Sequence, residues 1–336
     1  MPRDHGHPGK RAGGKARLCT APGGHPPRPY GAAVKAIAVT GGTGFVGQTV
    51  LDVLDERGMA VRALARSVPS DRDAIEWVAG SLGDAAALGR LVEGVDAVLH
   101  IAGLTNTPDP ADFTVANVSG TASLLDAAKR AGVKRFVFVS SLSAREPALS
   151  AYGESKAQAE QLVSGSGLDW TIVRPPAVYG PRDRDMFELF KSARLGFVPL
   201  PPSGATSMIH VDDLARLLMA LLPSSPRVHR KLFEPDDGRT GGWSYGEMAA
   251  AIGEAVGRRV FAPNMPAPLL RGAAGLDRIL RGNRAKLTAD RVGYMCHPNW
   301  VARSDRAVPT DIWTPSVETR EGLRSTAEWY RQQGWL

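Results

Sequence analysis

The stretch that decides the fold reads TGGTGFVG and runs from Thr40 to Gly47. It follows the short apolar run VKAIAVT and leads into GFVGQTVLDVLDER, whose apolar residues recur with helical spacing. Gly41, Gly44 and Gly47 stand three residues apart at this junction. Such glycines permit a tight turn, close approach of the backbone to a pyrophosphate, and close packing of the helix on the sheet. The motif therefore predicts a dinucleotide whose phosphates lie at the positive end of the helix.

Strands and helices alternate along the chain after this turn. The further predicted strands are AVRALA, IEWVAG, VDAVLHIAG, RFVFVSS and DWTIVRP, with helical segments between most of them. This order predicts an α/β fold, namely a Rossmann doubly wound parallel sheet with helices on both faces. Proline and glycine become frequent after Arg174. We therefore expect a Rossmann dinucleotide-binding domain at 34–174 and a smaller substrate-binding lobe at 175–336, some elements of which return to the sheet.

Composition indicates an ordinary globular protein. The 336 residues are 43% apolar and 22% charged, and no run reaches the roughly 18 apolar residues that a membrane span requires. Only two cysteines occur, Cys19 and Cys296, so a disulfide framework is not expected. The sequence predicts a cytoplasmic protein that binds a small molecule and makes no membrane contact.

The net charge of +7 is concentrated at the amino-terminal end. Residues 1–33 contain six basic residues and one acid, which leaves +2 for the rest of the chain. This Gly/Pro/His-rich extension lacks a helical period and is predicted to be disordered. A transit segment and a basic tail that contacts nucleic acid are the weaker alternatives. For the folded part, no nucleic-acid partner is expected.

The end of the second strand discriminates between two cofactors. An enzyme that prefers NAD usually has an acid there to hold the ribose 2′-hydroxyl. Here Ala65 is followed by Arg66 and Ser67. A guanidinium without a carboxylate favours a 2′-phosphate, so the sequence predicts NADP(H), with NAD(H) as the alternative.

A serine, a tyrosine and a lysine are predicted to meet at the carboxyl edge of the sheet. The strand RFVFVSS ends in Ser140 and Ser141, and a predicted helix places Tyr152 one turn before Lys156. A free tyrosine has a pKa of about 10, so we expect Lys156 and a positive nicotinamide ring to lower it toward a working range. Such a set suits hydride transfer. The alternative is a common helix-surface pair.

Together, the motifs TGGTGFVG, HIAG, NVSGT, FVFVSS, YGESK, RPPAVYGP, IHVDDLA and EGLRSTAEWYRQQGW resemble the extended or atypical short-chain dehydrogenase/reductase superfamily, often labelled NAD-dependent epimerase/dehydratase. The resemblance implies that Tyr152 is the catalytic acid/base, that Lys156 binds the nicotinamide ribose and that Ser141 orients the substrate. It implies that Asn117 supports a proton relay and a helix kink, for which a helix N-cap is the alternative. It also implies a homodimer formed through helices near 121–131 and 152–164.

The resemblance further assigns cofactor contacts. Ser81 and Leu82 fall where the family contacts adenine, and the segment from Pro175 to Val178 falls beside the carboxamide. The full expected set is Gly41, Thr43, Gly44, Phe45, Val46, Gly47, Arg66, Ser67, Ser81, Leu82, Ala102, Gly103, Thr105, Tyr152, Lys156, Pro175 and Val178.

Three departures from the nucleotide-sugar enzymes of this family bear on the substrate. Ser141 and Tyr152 are 11 positions apart, a shorter separation than in the nucleotide-sugar enzymes. Ala177 stands where those enzymes have an asparagine, and Thr206 stands where they have an arginine that holds phosphate. We therefore expect an NADP(H)-dependent oxidoreductase that acts on a small carbonyl or secondary alcohol. A nucleotide-sugar epimerase or dehydratase is the first alternative. A cofactor-binding assembly protein like the complex I accessory subunit is the second.

Other residue types receive structural interpretations. His100 is expected to be a packed core histidine, and His210, Asp212 and Asp213 are expected to start a helix. Arg145 is expected to pair with Glu146 or Glu154. No spacing of ligand residues predicts a metal. Four apolar residues of the second lobe suggest either a greasy pocket or core: Met186, Phe187, Phe190 and Trp243.

Overall fold

The computed structural model describes residues 34–282 and 285–336, so the extension predicted to be disordered lies outside the described residues. The strands are β1 (Ala36–Thr40), β2 (Ala60–Ala65), β3 (Glu76–Ala79), β4 (Ala97–His100), β5 (Arg135–Val139), β6 (Asp169–Val173), β7 (Ala177–Tyr179), β8 (Ala205–Thr206), β9 (Met208–His210), β10 (Lys231–Phe233), β11 (Trp243–Ser244) and β12 (Asn299–Trp300). The helices are α1 (Phe45–Glu56), α2 (Ala85–Val92), α3 (Ala111–Phe113), α4 (Gly120–Arg130), α5 (Ala151–Ser164), α6 (Phe187–Arg194), α7 (Val211–Ala220), α8 (Tyr245–Val256), α9 (Ala267–Arg281), α10 (Ala289–Met295) and α11 (Thr319–Gln332).

Seven parallel strands form the main sheet, in the order β10-β6-β5-β4-β1-β2-β3. The strand order reverses between β1 and β4, and open α/β sheets bind ligands in the crevice at such a point. The predicted doubly wound α/β fold is confirmed.

Alternation along the central strands explains why helices cover both faces. In β1, Ile37 and Val39 pack against α1 and α7, whereas Ala38 packs on the opposite face with α2 and α4. Strands that are buried on both faces consist almost entirely of apolar residues, as β4 and β5 do apart from His100 and Arg135. The sheet therefore holds the carboxyl ends of its strands rigidly beneath whatever binds there.

The chain after residue 174 contributes to two regions. The strand β10 pairs with β6, and α7 packs on the sheet through Leu214 and Leu218. The other region contains a three-stranded sheet, β11-β8-β12, and a separate core of α6, α8 and α11 around Tyr179 and Tyr330. The division at residue 174 stays a prediction.

Two smaller observations complete the fold. A π-helical turn at Thr114–Ser119 connects α3 to α4. Within residues 34–282 and 285–336, none of the helices has both the length and the apolar character needed to cross a bilayer.

Candidate active site

The glycine turn between β1 and α1 has the geometry of a phosphate site. Gly41 adopts a φ of 79°, and a Cβ there would lie 2.6 Å from the backbone nitrogen of Ala102. A Cβ on Gly47 would clash with the carbonyl of Gly41. Gly44 is the N-cap of α1, and no side chain caps this end. The first N–H groups of α1 are therefore not bonded by a capping side chain, which fits a dinucleotide pyrophosphate.

The carboxyl-terminal end of one strand and the start of one helix carry the predicted catalytic set. Ser141 follows β5, and Tyr152 and Lys156 lie in the first turns of α5. Two groups fix the start of α5, since the Ser150 hydroxyl accepts from Gly153 N at 3.0 Å and the Asp290 carboxylate accepts from Ala151 N at 2.5 Å. Capping of this kind stabilises a helix end by about 1 kcal/mol per residue.

Burial has the largest effect on the pKa of Tyr152, and it raises that pKa. Its ring packs between those of Phe113 and Tyr294, with centroids at 5.7 Å and 6.2 Å. Burial raises the pKa of the Tyr152 hydroxyl to about 12, and the hydrogen bond with Ser141 only partly offsets this rise. The protein groups by themselves therefore leave the pKa of Tyr152 above its ordinary value, because desolvation of the phenolate outweighs them. The expected lowering by Lys156 and the nicotinamide ring together stays a prediction.

Lys156 is a buried ammonium with one direct acceptor. Its Nζ donates to the carbonyl of Val139 at 2.8 Å and lies 4.6 Å from the ring centre of Phe138. Burial lowers the pKa of Lys156 to about 8, while the nearby Glu160 opposes the shift. A lysine with this pKa changes its charge close to neutral pH, unlike an exposed lysine.

Ser141 points its hydroxyl toward the same region. It shares a hydrogen bond of 2.9 Å with the hydroxyl of Ser143, and it also caps the short helical turn 142–145. A hydroxyl is both donor and acceptor, so Ser141 can hold a substrate oxygen while bonded to Ser143.

Asn117 lies in the π-helical turn and is buried. Its side chain accepts from Leu104 N at 2.7 Å, and donates to Leu104 O at 3.0 Å and to Ser155 Oγ at 2.9 Å. The N-cap alternative is wrong, because the residues on both sides of Asn117 are helical. Irregular π-turns are frequent at functional sites, and this one fixes the loop that carries Gly103 beside Lys156.

One cavity of about 430 Å³ joins these groups, a size suited to a small ligand or a cofactor ring. Its walls include nine of the predicted site residues: Phe45, Val46, Gly103, Thr105, Ser141, Tyr152, Lys156, Pro175 and Val178. Asn117 lies behind the wall, against Gly103.

The predicted adenine end lies elsewhere on the same sheet edge. Arg66 and Ser67 directly follow β2 and are exposed. Ser81 and Leu82 follow β3, and the side chain of Leu82 packs against Gly120. Neither pair lines the cavity, which is consistent with an elongated ligand whose two ends bind different strands.

The second lobe adds charged residues that the sequence did not reveal. Asp183, Asp185 and Arg291 line the cavity, and Arg291 bonds Asp185 at 3.2 Å. Burial raises the pKa of the Asp183 carboxyl to about 7, although it accepts two backbone N–H groups. The α10 segment TADR has a helix-start signal, but nothing local places it against α5, 139 residues earlier.

Several secondary expectations are settled by the contacts. His100 is a core histidine bonded to Thr40 and Thr121, and burial lowers its pKa to about 3. His210 caps α7, as expected. Of the four apolar candidates, Met186 lines the cavity, whereas Phe190 and Trp243 belong to the lobe core and Phe187 packs against it.

Arg145 has a different main partner from those expected. Its guanidinium donates to the carbonyls of Asn299 and Val301 and lies 3.6 Å from Glu234, whereas Glu146 is 4.0 Å away. Sequence proximity favoured Glu146 and Glu154, but β10 brings the buried carboxylate of Glu234 close to Arg145. Arg145 therefore joins the strand β12 to the sheet.

Comparison with known proteins agrees with this geometry. The chain is 34% identical over 310 residues to the ceramide reductase of Caulobacter vibrioides (strain NA1000 / CB15N), covering 89% of this chain and 96% of the relative. It is 32% identical over 193 residues to the 3 beta-hydroxysteroid dehydrogenase/Delta 5-->4-isomerase of Mycobacterium tuberculosis (strain CDC 1551 / Oshkosh), which covers 48% of this chain and 52% of the relative.

A solved structure of MoeE5 in complex with UDP-glucose and NAD is also similar. It shares 25% identity with a TM-score of 0.69, over 89% of this chain and 99% of that one. Residues 37–231 match the NAD dependent epimerase/dehydratase family. The sheet, the glycine turn and these matches agree, and the chain belongs to the NAD-dependent epimerase/dehydratase family of the extended short-chain dehydrogenase/reductase superfamily.

Proposed function

We propose that this protein is an NADP(H)-dependent reductase of a ketone on a long apolar lipid of the ceramide class. The observation that carries the proposal is the set Ser141, Tyr152 and Lys156 on the wall of a largely apolar cavity. Similarity over nearly the whole length to a ceramide reductase supports this substrate class. The partial similarity to a hydroxysteroid dehydrogenase supports an apolar substrate as well.

The cavity lining favours an apolar compound over a diphosphate. Its walls contain many apolar side chains, among them Leu142, Met186, Leu189, Leu200, Met248, Met295 and Trp300. Among the described residues that line it, the charged ones are Lys156 and Arg291 against Asp183 and Asp185. Two positive and two negative groups provide no excess charge for a nucleotide diphosphate.

The residues suggest a direct proton-transfer mechanism. The nicotinamide cofactor, when bound, supplies the hydride that reduces the carbonyl carbon. The hydroxyls of Ser141 and Tyr152 donate hydrogen bonds to the carbonyl oxygen and polarise it. Tyr152 then gives its proton to that oxygen and becomes a phenolate, which the ammonium of Lys156 stabilises. A pKa of about 12 keeps Tyr152 protonated before reaction, as a proton donor requires.

Arg66 supports NADP(H) as the cofactor. It is exposed directly after β2 and forms no ion pair with other described residues, so its guanidinium is available for a 2′-phosphate. Gly103 and Thr105 would hold the nicotinamide half, and Asn117 would support their loop from behind the wall.

Epimerisation or dehydration of a nucleotide sugar is the second candidate, because the similar MoeE5 structure contains UDP-glucose and NAD. Ala177 and Thr206 stand against it, since neither can supply the phosphate contacts expected of such enzymes. Thr206 is buried in β8, and its hydroxyl bonds Ser207 O at 3.0 Å.

The test is NADPH oxidation with a ketone derivative of ceramide, a soluble short-chain ketone and UDP-glucose. We expect stoichiometric NADPH consumption with the lipid ketone. Tyr152→Phe should keep NADPH binding and lose about 10²–10⁴-fold in kcat, because the proton donor is gone. Conversion of UDP-glucose without net NADPH consumption would assign the protein to the epimerases. Binding of NADPH with no turnover of any substrate would favour an assembly role.

A further inference from the structure

Exposed large apolar side chains are concentrated in one part of the second lobe. Among the described residues ten such side chains are exposed, and seven of them lie between positions 195 and 280. They fall into two groups, the outer side of α9 (Leu269, Leu276, Ile279 and Leu280) and an aromatic pair with its neighbour (Phe197, Phe261 and Leu195), and we call the two groups together the apolar face. Scattered single apolar residues need no explanation, but four exposed apolar side chains on one helix indicate a binding surface.

The helix α9 is amphipathic with its apolar side turned outward. Leu269, Leu276 and Leu280 follow a spacing of seven and four residues and therefore share one side of the helix. Ile279 is 81% exposed and Leu280 is 73% exposed. A different side, with Leu270 and Ala274, packs against Val292 of α10. The outward leucines are therefore not needed to attach α9 to the protein.

Two aromatic rings extend the apolar face. The rings of Phe197 and Phe261 pack 6.1 Å apart, and both side chains are exposed. Backbone hydrogen bonds join their segments, including Phe261 N to Gly196 O and Val198 N to Phe261 O. The two aromatic residues are therefore held by segments that are hydrogen-bonded to each other.

Positive charge is concentrated in the stretch of chain that contains α9. Residues 257–282 contain Arg258, Arg259, Arg271, Arg278 and Arg281 against the single acid Asp277, a net charge of +4. Residues 34–336 carry +2 in all, so the remainder of that range is slightly negative. Arg258 and Arg259 precede Phe261 closely and are exposed. The charge complements an anionic surface.

The chain segments that carry the apolar face also reach the wall of the active-site cavity. Leu200 N bonds Pro263 O at 3.0 Å and Met265 N bonds Leu200 O at 2.8 Å, and Leu200 lines the cavity. The helix α10, on which α9 rests, contributes Arg291 and Tyr294 to the same cavity. Segments that carry the apolar face therefore also support the cavity wall.

We propose that the apolar face docks on an anionic lipid bilayer and delivers the lipid substrate to the cavity. The choice of a lipid partner rests on the proposed function, because a ketone on a long-chain lipid would reside in a bilayer. Apolar side chains enter the interface while the exposed arginines of this stretch attract anionic headgroups over a short distance. Such docking requires no spanning segment, and it departs from the sequence-based expectation of no membrane contact.

Cosedimentation of the full chain with vesicles tests the docking. Vesicles of phosphatidylglycerol should bind the protein at least 10-fold more strongly than vesicles of phosphatidylcholine, and raising the salt concentration should weaken the binding. Failure to sediment with phosphatidylglycerol vesicles at low salt would overturn the proposal.

Two variants locate the surface. Ile279→Ser/Leu280→Ser and Arg258→Glu/Arg259→Glu should each reduce vesicle binding at least 10-fold, and a misfolded variant would be recognised by its far-UV circular dichroism. Leu162→Ser, which changes an exposed leucine on α5, is the matched control and should bind vesicles normally. Equal binding by all three variants would overturn the assignment.

A turnover measurement separates this proposal from the proposed function. Both surface variants should reduce the soluble short-chain ketone at the wild-type rate but should lose at least 10-fold in activity on vesicle-embedded lipid ketone. Vesicle binding without any ketone turnover would uphold docking and reject the reductase. A concentration-dependent dimer that the same variants abolish would show that a second copy covers the apolar face, and would overturn the lipid assignment.

Discussion

Burial of the Tyr152 hydroxyl has a stronger effect on its acidity than the lysine one turn away. The tyrosine pKa of about 12 and the lysine pKa of about 8 have the same cause, because each charged form loses water of hydration. The consequences differ. Tyr152 stays protonated throughout the accessible pH range, whereas Lys156 is the group that titrates near pH 8.

Lys156 should therefore set the alkaline limit of reduction. In the proposed mechanism the ammonium stabilises the phenolate that forms on Tyr152, and the ammonium is lost as the pH rises through its pKa of about 8. We expect kcat/KM for the ketone to fall above about pH 8. In Lys156→Arg the guanidinium has a pKa above about 12 and stays charged. The fall in kcat/KM should therefore move to higher pH, even if the maximal rate is reduced. A wild-type profile that is level to pH 10 would contradict this role.

Arg66 should control the choice between the two nicotinamide cofactors. Replacing it by glutamate removes a cation for the 2′-phosphate and introduces a carboxylate that repels it. Arg66→Glu should raise the Kd for NADPH by roughly 10–100-fold, on the scale of one charge-assisted contact, and leave the Kd for NADH within a few-fold. Fluorescence titration measures both constants. Arg57→Glu, at the exposed C-cap of α1, is the control and should change neither.

At the scale of elements, α10 holds α5, the helix that carries Tyr152 and Lys156, from outside the Rossmann sheet. Its Asp290 carboxylate accepts from the backbone nitrogens of Ala151 and Tyr152, at 2.5 Å and 3.4 Å. These N–H groups belong to the first turn of α5, where an acid also complements the helix dipole. The second lobe therefore positions the tyrosine as well as closing the cavity.

Asp290→Ala should separate positioning from stability. We expect a loss of about 1–2 kcal/mol in the free energy of unfolding, as for other capping groups, and about a 10-fold loss in kcat/KM for the ketone. NADPH affinity should stay within 2-fold. Urea denaturation and steady-state kinetics measure these quantities.

Asp96→Ala is the matched control for that variant. Asp96 also accepts from two backbone nitrogens, those of Lys35 and Ala36, but at the start of β1. It should lose similar stability and retain full activity. Equal kinetic losses in both variants would show that Asp290 acts only through stability.

At the scale of the whole molecule, a buried ion network joins the sheet to the second lobe. Glu234, which directly follows β10, lies 3.3 Å from Arg174 and 3.6 Å from Arg145, and it accepts from Arg303 N at 3.0 Å. Arg174 also pairs with Glu160 at 2.6 Å. The network lies near the carboxyl ends of β5, β6 and β10, so it fixes the segment around β12 next to the active site.

Breaking this network should destabilise the protein strongly. Glu234→Gln leaves the buried Arg145 without its main carboxylate, and removal of one partner of a buried pair costs about 3–5 kcal/mol. Glu254→Gln, which breaks an exposed pair with Arg320, should cost less than about 1 kcal/mol. Urea unfolding of both variants measures the difference. A loss below 1 kcal/mol for Glu234→Gln would show that the network is not a structural support.

The sequence by itself determined the features that depend on near neighbours. Gly41 has a positive φ in a turn that its motif predicts, and the alternation of apolar runs predicts the parallel sheet. The same local patterns place Ser141, Tyr152 and Lys156 at the ends of adjacent elements, and the structure brings all three to one cavity. Backbone preference and hydrophobic period act over a few residues, which is why they can be recognised in the chain.

Only the tertiary structure decided the properties that depend on distant contacts. Asp290 caps a helix 139 residues earlier in the chain, and Glu234 rather than Glu146 is the main carboxylate partner of Arg145. The raised pKa of Tyr152 and the outward leucines of α9 likewise follow from which surfaces are covered. Desolvation and burial are set by packing between elements far apart in sequence, and no local pattern encodes which side of an amphipathic helix will be left exposed.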